Sequence, residues 1–156
     1  MKARYNIFYI LTGFMLFVSC NREELYFEYE MVEKGDWYRD SVLTFSLDTL
    51  KANQIGEYKI SLELTTSMLY PYSDIQLKID HNLNDTIISS DTLRYKVVDE
   101  HGKWLGNGVG SLRQLSILYK SYVWLDSTRN YEINIFHLIN EDPLPGIEKV
   151  GVRFYR

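Results

Sequence analysis

The feature that most constrains this chain is a two-residue rhythm of apolar and polar side chains. Leu43, Phe45 and Leu47 alternate in SVLTFSL, and Tyr58, Ile60, Leu62 and Leu64 alternate in EYKISLEL. The pattern returns at Ile75, Leu77 and Ile79, at Leu93, Tyr95 and Val97, at Ile133 and Ile135, and at Val150, Val152 and Phe154. Successive side chains of a strand point to opposite faces, so such runs are strands with one buried and one solvated face. Turn-forming clusters separate them: Lys34-Gly35-Asp36, Tyr70-Pro71-Tyr72-Ser73, His81-Asn82 to Asp85, Glu100 to Lys103, Ser127 to Asn130, and Asp142 to Gly146. Roughly seven to nine short strands at this spacing predict an all-β antiparallel sandwich, immunoglobulin-like or jelly-roll. Gly110 to Tyr119 breaks the rhythm. Leu112, Leu115 and Leu118 follow helical spacing, which predicts at most one short helix there.

The N-terminus follows another logic. Lys2 and Arg4 precede the apolar run Ile7–Val18, and Ser19 stands before Cys20, the one cysteine in the chain. A membrane-spanning helix needs about twenty apolar residues, so this shorter run, followed at once by NREE, is the pattern of a cleaved signal. The sequence LFVSC resembles a bacterial lipobox, which implies cleavage before Cys20 and a lipid on its sulfur. That reading accounts for an unpaired cysteine in an exported chain. Residues 1–19 are then the signal peptide, 20–25 a lipidated tether and 26–156 a single β-sandwich domain. Lys2 and Arg4 leave with the signal, so 15 Lys and Arg face 21 acids, a net charge of −6. Such a balance disfavours nucleic acid and anionic membrane surfaces as partners.

Motifs of catalysis are missing. His81, His101 and His137 have no metal-ligand spacing, and GxSxG, HExxH and phosphate-loop patterns do not occur. Gly106, Gly108 and Gly110 in GNGVG lack the Lys and Ser/Thr of a phosphate loop and read as turn or bulge glycines. The acidic pairs Asp99/Glu100 and Glu141/Asp142 fall in turns. No nucleophile–base or metal constellation can be assembled, so the chain reads as a non-enzyme without metal or cofactor.

Five of the ten aspartates precede Ser or Thr: Asp40-Ser41, Asp48-Thr49, Asp85-Thr86, Asp91-Thr92 and Asp126-Ser127. Each reads either as a turn entering a strand or, by resemblance, as an acceptor for O-glycosylation of exported Bacteroidetes proteins. The candidate acceptors are Ser41, Thr49, Thr86, Thr92 and Ser127.

Several stretches together resemble the gliding-motility lipoproteins of the GldH family of Bacteroidetes. They are the lipobox at Cys20, YFEYE, GDWYRDSVLTFSL (35–47), YPYSDIQLKI (70–79), DTLRYKVVDEHGKWLGNGVGSLRQ (91–114) and GIEKVGVRFY (146–155). The resemblance implies a membrane-anchored, non-enzymatic accessory or assembly component of the gliding and associated secretion machinery. Its partners would be the membrane, through the lipid anchor, and other envelope proteins. Trp37, Tyr70, Tyr72 and Trp104 are the distinctive aromatics of these stretches, read either as core closures or as an exposed partner surface. The alternative function is a carbohydrate-binding surface lipoprotein, whose exposed rings would stack on sugars. Asn21 rather than Asp after the cysteine points to the outer membrane. The periplasmic face is favoured over the cell surface, although Glu23 and Glu24 resemble acidic surface-export signals.

Overall fold

The computed structural model describes residues 24–84, 86–108 and 110–156; Cys20 and the signal lie outside them. Ten strands follow one another: β1 (Glu24–Met31), β2 (Asp36–Trp37), β3 (Leu43–Leu47), β4 (Gly56–Ser67), β5 (Asp74–His81), β6 (Ser89–Lys96), β7 (Leu112–Leu125), β8 (Tyr131–His137), β9 (Leu144–Pro145) and β10 (Ile147–Tyr155). They form two four-stranded antiparallel sheets, β1-β10-β4-β7 and β3-β8-β5-β6, with β2-β9 as a small third pair.

The pairing is nested. β1 pairs with β10, β2 with β9, β3 with β8, β4 with β7 and β5 with β6. The chain is therefore one long hairpin, with its tip between β5 and β6, rolled up so that β10 also meets β4 and β8 also meets β5. Along the chain the strands of the two large sheets alternate between them except at the β5–β6 hairpin, which selects the jelly roll over the immunoglobulin alternative.

The alternating residues fill the interior as their spacing requires. Ile60, Leu62, Leu64, Val150, Val152 and Phe154 of the first sheet face Phe45, Ile75, Leu77, Ile79, Ile133 and Ile135 of the second, all buried. Burial of each such side chain contributes about 1.5–3 kcal/mol.

Residues 112–119 are strand, not helix, and among the described residues the only helical elements are two short 3-10 turns, Glu33–Gly35 and Ala52–Gln54. Leu115 and Ile117 of β7 point into the core, whereas Leu112 and Leu118 lie on its outer, exposed face. Leucines on both faces erase the alternation. β1 begins at Glu24, inside the stretch 20–25 read as the tether, whose first residues lie outside the described ones.

The two ends of the sandwich differ in what they carry. One end, called proximal below, holds the start of β1, the β3–β4 and β7–β8 connections, the β5–β6 tip and Arg156. The opposite, distal end holds segments 32–42, 68–73, 97–111 and 138–146.

Candidate interaction surface

All four aromatics singled out in the sequence come to the distal end, but they do not form one exposed surface. Trp37 is 1% exposed and Tyr70 4%, so both belong to the core and neither is available to a partner. The Trp37 Nε1–H donates to the Ser41 carbonyl at 2.8 Å, and its ring meets His137 edge-on at 5.3 Å. The Tyr70 hydroxyl donates to the Asp74 carbonyl at 2.7 Å. Burial, followed by the nearby Asp74 charge, raises the pKa of that phenol. A large ring is cheapest to order where its polar atom finds a backbone acceptor, and both rings satisfy that condition.

Tyr72 and Trp104 are half-buried. The Tyr72 hydroxyl donates to Glu141 at 2.7 Å, and its ring contacts Tyr70 at 5.8 Å. Trp104 lies opposite Val98 in an isolated β-bridge and packs against the rim of the core. The turn before it is built by Asp99, whose Oδ1 accepts the His101 and Lys103 N–H groups, each at 2.9 Å. Arg39 ties the neighbouring loops together, donating to the Asn140 carbonyl at 2.7 Å while its backbone N–H reaches Asp142 at 3.0 Å. The distal rim is thus held by short-range polar links, with carboxylates in turns as expected.

The glycine-rich stretch serves the same end. A Cβ on Gly106 would lie 2.5 Å from the Gln114 carbonyl oxygen, and one on Gly108 would lie 2.0 Å from that of Leu112. Asn107 and Gln114 exchange backbone hydrogen bonds at 2.9 and 2.7 Å. These glycines let a loop lie against β7.

What the sequence reading missed is the apolar exposure beside these rings. Tyr38, Met68, Leu69, Leu105 and Leu138 all project at the distal end. The signal available was Met68-Leu69 in a turn, where Gly, Asn, Asp or Ser is usual. Next to them an open polar pocket of about 500 Å³ is lined by Ser73, Asp74, Arg94, Lys96 and Asp99 among others.

A second cluster joins the sheets at their other edge. Asp91 Oδ2 on β6 accepts from the Tyr119 hydroxyl at 2.7 Å and from Lys120 Nζ at 2.5 Å, both on β7, and lies 3.2 Å from His81 Nε2. The Lys120 ammonium and then the Tyr119 hydroxyl hold the Asp91 carboxyl well below the usual carboxylate range. Burial, and then Asp91 itself, push the Tyr119 phenol up. Both shifts move away from neutrality, so Asp91 and Tyr119 clamp the β6 and β7 edges instead of exchanging a proton near pH 7. His81, expected in a turn, closes β5 and is buried; His101 is exposed in its turn, and His137 is buried, which lowers its pKa. Among the described residues no group of His, Cys, Asp and Glu could hold a metal ion.

The five Asp-Ser/Thr hydroxyl residues are all exposed. The turn-before-strand reading fits Ser41, just ahead of β3, and Thr86, in the turn ahead of β6. Thr92 lies within β6, and Thr49 and Ser127 follow the ends of β3 and β7. The Thr49 hydroxyl already donates to Asn130 at 2.7 Å.

A jelly-roll domain with apolar side chains exposed at both of its ends is the class of protein that this geometry defines. The chain matches the family described as GldH lipoprotein over residues 24–154, from the first residue of β1 almost to the end of β10. It belongs to the GldH lipoprotein family. It is 28% identical over 160 residues to a "gliding motility lipoprotein GldH homolog" of Christiangramia forsetii, covering 98% of this chain and 96% of that protein. It is 26% identical over 149 residues to the "gliding motility lipoprotein GldH" of Flavobacterium johnsoniae, covering 95% of this chain and 90% of that one. Among solved structures, the GH115 4-O-methyl-α-glucuronidase BtGH115A is similar at a TM-score of 0.50 and 12% identity. The match covers 85% of this chain but 18% of the enzyme, and it shows a shared β fold alone.

Proposed function

We propose that this protein is a lipid-anchored, non-enzymatic accessory component of the gliding-motility and associated secretion apparatus. In this reading Cys20 carries the lipid, the outer membrane holds it, and the domain sits on the periplasmic face with its distal end turned to envelope partner proteins. The observation that carries the reading is the family match running the whole length of the jelly roll. The exposed Met68, Leu69 and Leu105 beside half-buried Trp104 supply the kind of rim that buries against another protein. The carbohydrate-binding alternative loses two of its four stacking rings to the core. Ser41, Thr49, Thr86, Thr92 and Ser127 remain proposed glycan acceptors, read by the intact mass of the mature protein.

Deletion of the gene, scored for colony spreading and for adhesin display at the cell surface, tests the proposal. Loss of either with restoration by the wild-type gene is expected. Normal spreading together with normal display would remove the reading.

A further inference from the structure

The exposed apolar residues of the proximal end have no part in the surface described above. Tyr122 and Trp124, near the C-terminal end of β7, are 62% and 54% exposed. Trp124 pairs with Glu57 of β4, and Glu57 is exposed, so both side chains belong to the outer face of the sheet. Ile87 and Ile88, in the turn between β5 and β6, are exposed at the same end.

Register places these residues beside the start of β1. Glu24 is opposite Tyr155, and Tyr155 is opposite Lys59 of β4. Lys59 follows Tyr58, whose partner is Val123 of β7, between Tyr122 and Trp124. From β1 to β7 is three strand spacings of about 4.8 Å, or about 14 Å. Four residue steps separate Cys20 from Glu24, and at about 3.5 Å each they span at most about 14 Å. A lipid on Cys20 therefore holds this end, and not the distal one, within reach of the head groups.

We propose that the proximal end is a bilayer-contacting surface. Trp124 and Tyr122 enter the head-group region of the leaflet that holds the Cys20 lipid, and Ile87 and Ile88 lie at the same interface. Trp and Tyr are favoured at that depth because the ring is apolar and its N–H or O–H stays wet. Exposed Lys51 and Lys59 lie at the same end to meet lipid phosphates. The contact rests on ring insertion, since the chain is acidic overall, and it withstands salt. It fixes the domain upright, so that the distal rim points away from the lipid. This inference rests on the reading of Cys20 as the lipid-bearing residue.

The test uses the full chain made with its own leader, purified and reconstituted into phosphatidylcholine vesicles with and without brominated acyl chains. Intact mass reports the lipid on Cys20 separately. The expected result is loss of most of the emission that Trp124 contributes, in brominated vesicles only. Trp124→Phe should abolish that loss, because Trp37 is buried and Trp104 is distal. A reporter at the far end, Leu69→Trp in the Trp124→Phe background, should stay unquenched. A lipidated protein whose Trp124 emission ignores bromine overturns the docking while leaving the anchor intact. Equal quenching at position 69 overturns the upright placement, and a Cys20 without lipid overturns anchor and docking together.

Discussion

Gly151 sits in β10 where Tyr29 crosses from β1 over the outer face of the sheet. A Cβ there would lie 2.6 Å from Tyr29 Cδ1 and 2.9 Å from the Glu28 carbonyl oxygen. Tyr29 reaches as far as β7, where its hydroxyl accepts from Gln114 Nε2 at 2.6 Å. In register, Tyr29 is opposite Gly151, Gly151 opposite Glu63, and Glu63 opposite Ser116. Glu63 faces outward by alternation, yet it is 4% exposed, and its Oε1 accepts from Ser61 at 2.8 Å and Ser116 at 2.7 Å. The missing side chain at 151 is thus what allows a tyrosine to lie flat and close over a carboxylate. Gly151→Ala should push Tyr29 away and cost about 1–3 kcal/mol, read as a shift of the urea midpoint. An unchanged midpoint would show that Tyr29 moves freely. Neither the crossing nor the burial of Glu63 is visible in KISLEL, where Lys59, Ser61 and Glu63 look alike; only the strand's central place and its neighbour's ring separate them.

At the scale of elements, β4 and β7 show what periodicity reveals and what it misses. The alternating runs of β4, β5, β8 and β10 were legible because one face is core and the other is polar. β7 was not, since its outer face carries Leu112, Leu118, Tyr122 and Trp124, and outward leucines mimic helical spacing. The pairing order was not legible either, because strands separated by most of the chain meet without any local signal. β1 and β10 illustrate this, with Glu24 opposite Tyr155; the β6 and β7 edges, nearer in sequence, are joined across the sheets by Asp91 to Tyr119 and Lys120. The folded pKa of Asp91 is lowered, whereas an unfolded aspartate titrates near about 3.9. Its stabilisation is therefore complete above about pH 4 and lost as pH falls from there through the lower folded value. Asp91→Asn should lower stability at neutral pH by about 1 kcal/mol, a carboxylate 38% exposed being well screened. It should also flatten the acid limb of a melting-temperature profile. An acid limb as steep as that of the wild type would place the titration elsewhere.

For the whole molecule, the two ends divide the work, with lipid proposed at one and protein at the other. The candidate surface was half legible. The motifs YPYS and GKWLGNG led to the distal end, but aromatic identity alone could not separate Trp37, closed under its loops, from Trp104 at the rim. Met68→Ser with Leu69→Ser should therefore reduce capture of envelope partners more than tenfold while leaving the melting temperature within about 2 °C, as expected for exposed side chains. Capture at the wild-type level would move the partner surface away from this rim.

The nested pairing also sets an order of events. A chain that emerges from a ribosome or a translocation pore starting at its N-terminus delivers β1 first and β10 last. Yet β10 lies between β1 and β4 and is the strand hydrogen-bonded to both. Until the final few residues are out, the first sheet has a gap at its second position, and β1 has no neighbour. Completion of the first sheet is thus post-delivery by construction, whereas the second sheet has all its strands once His137 is out. A stop codon ahead of Ile147 would remove only ten residues and still leave two strands without the partner that joins them.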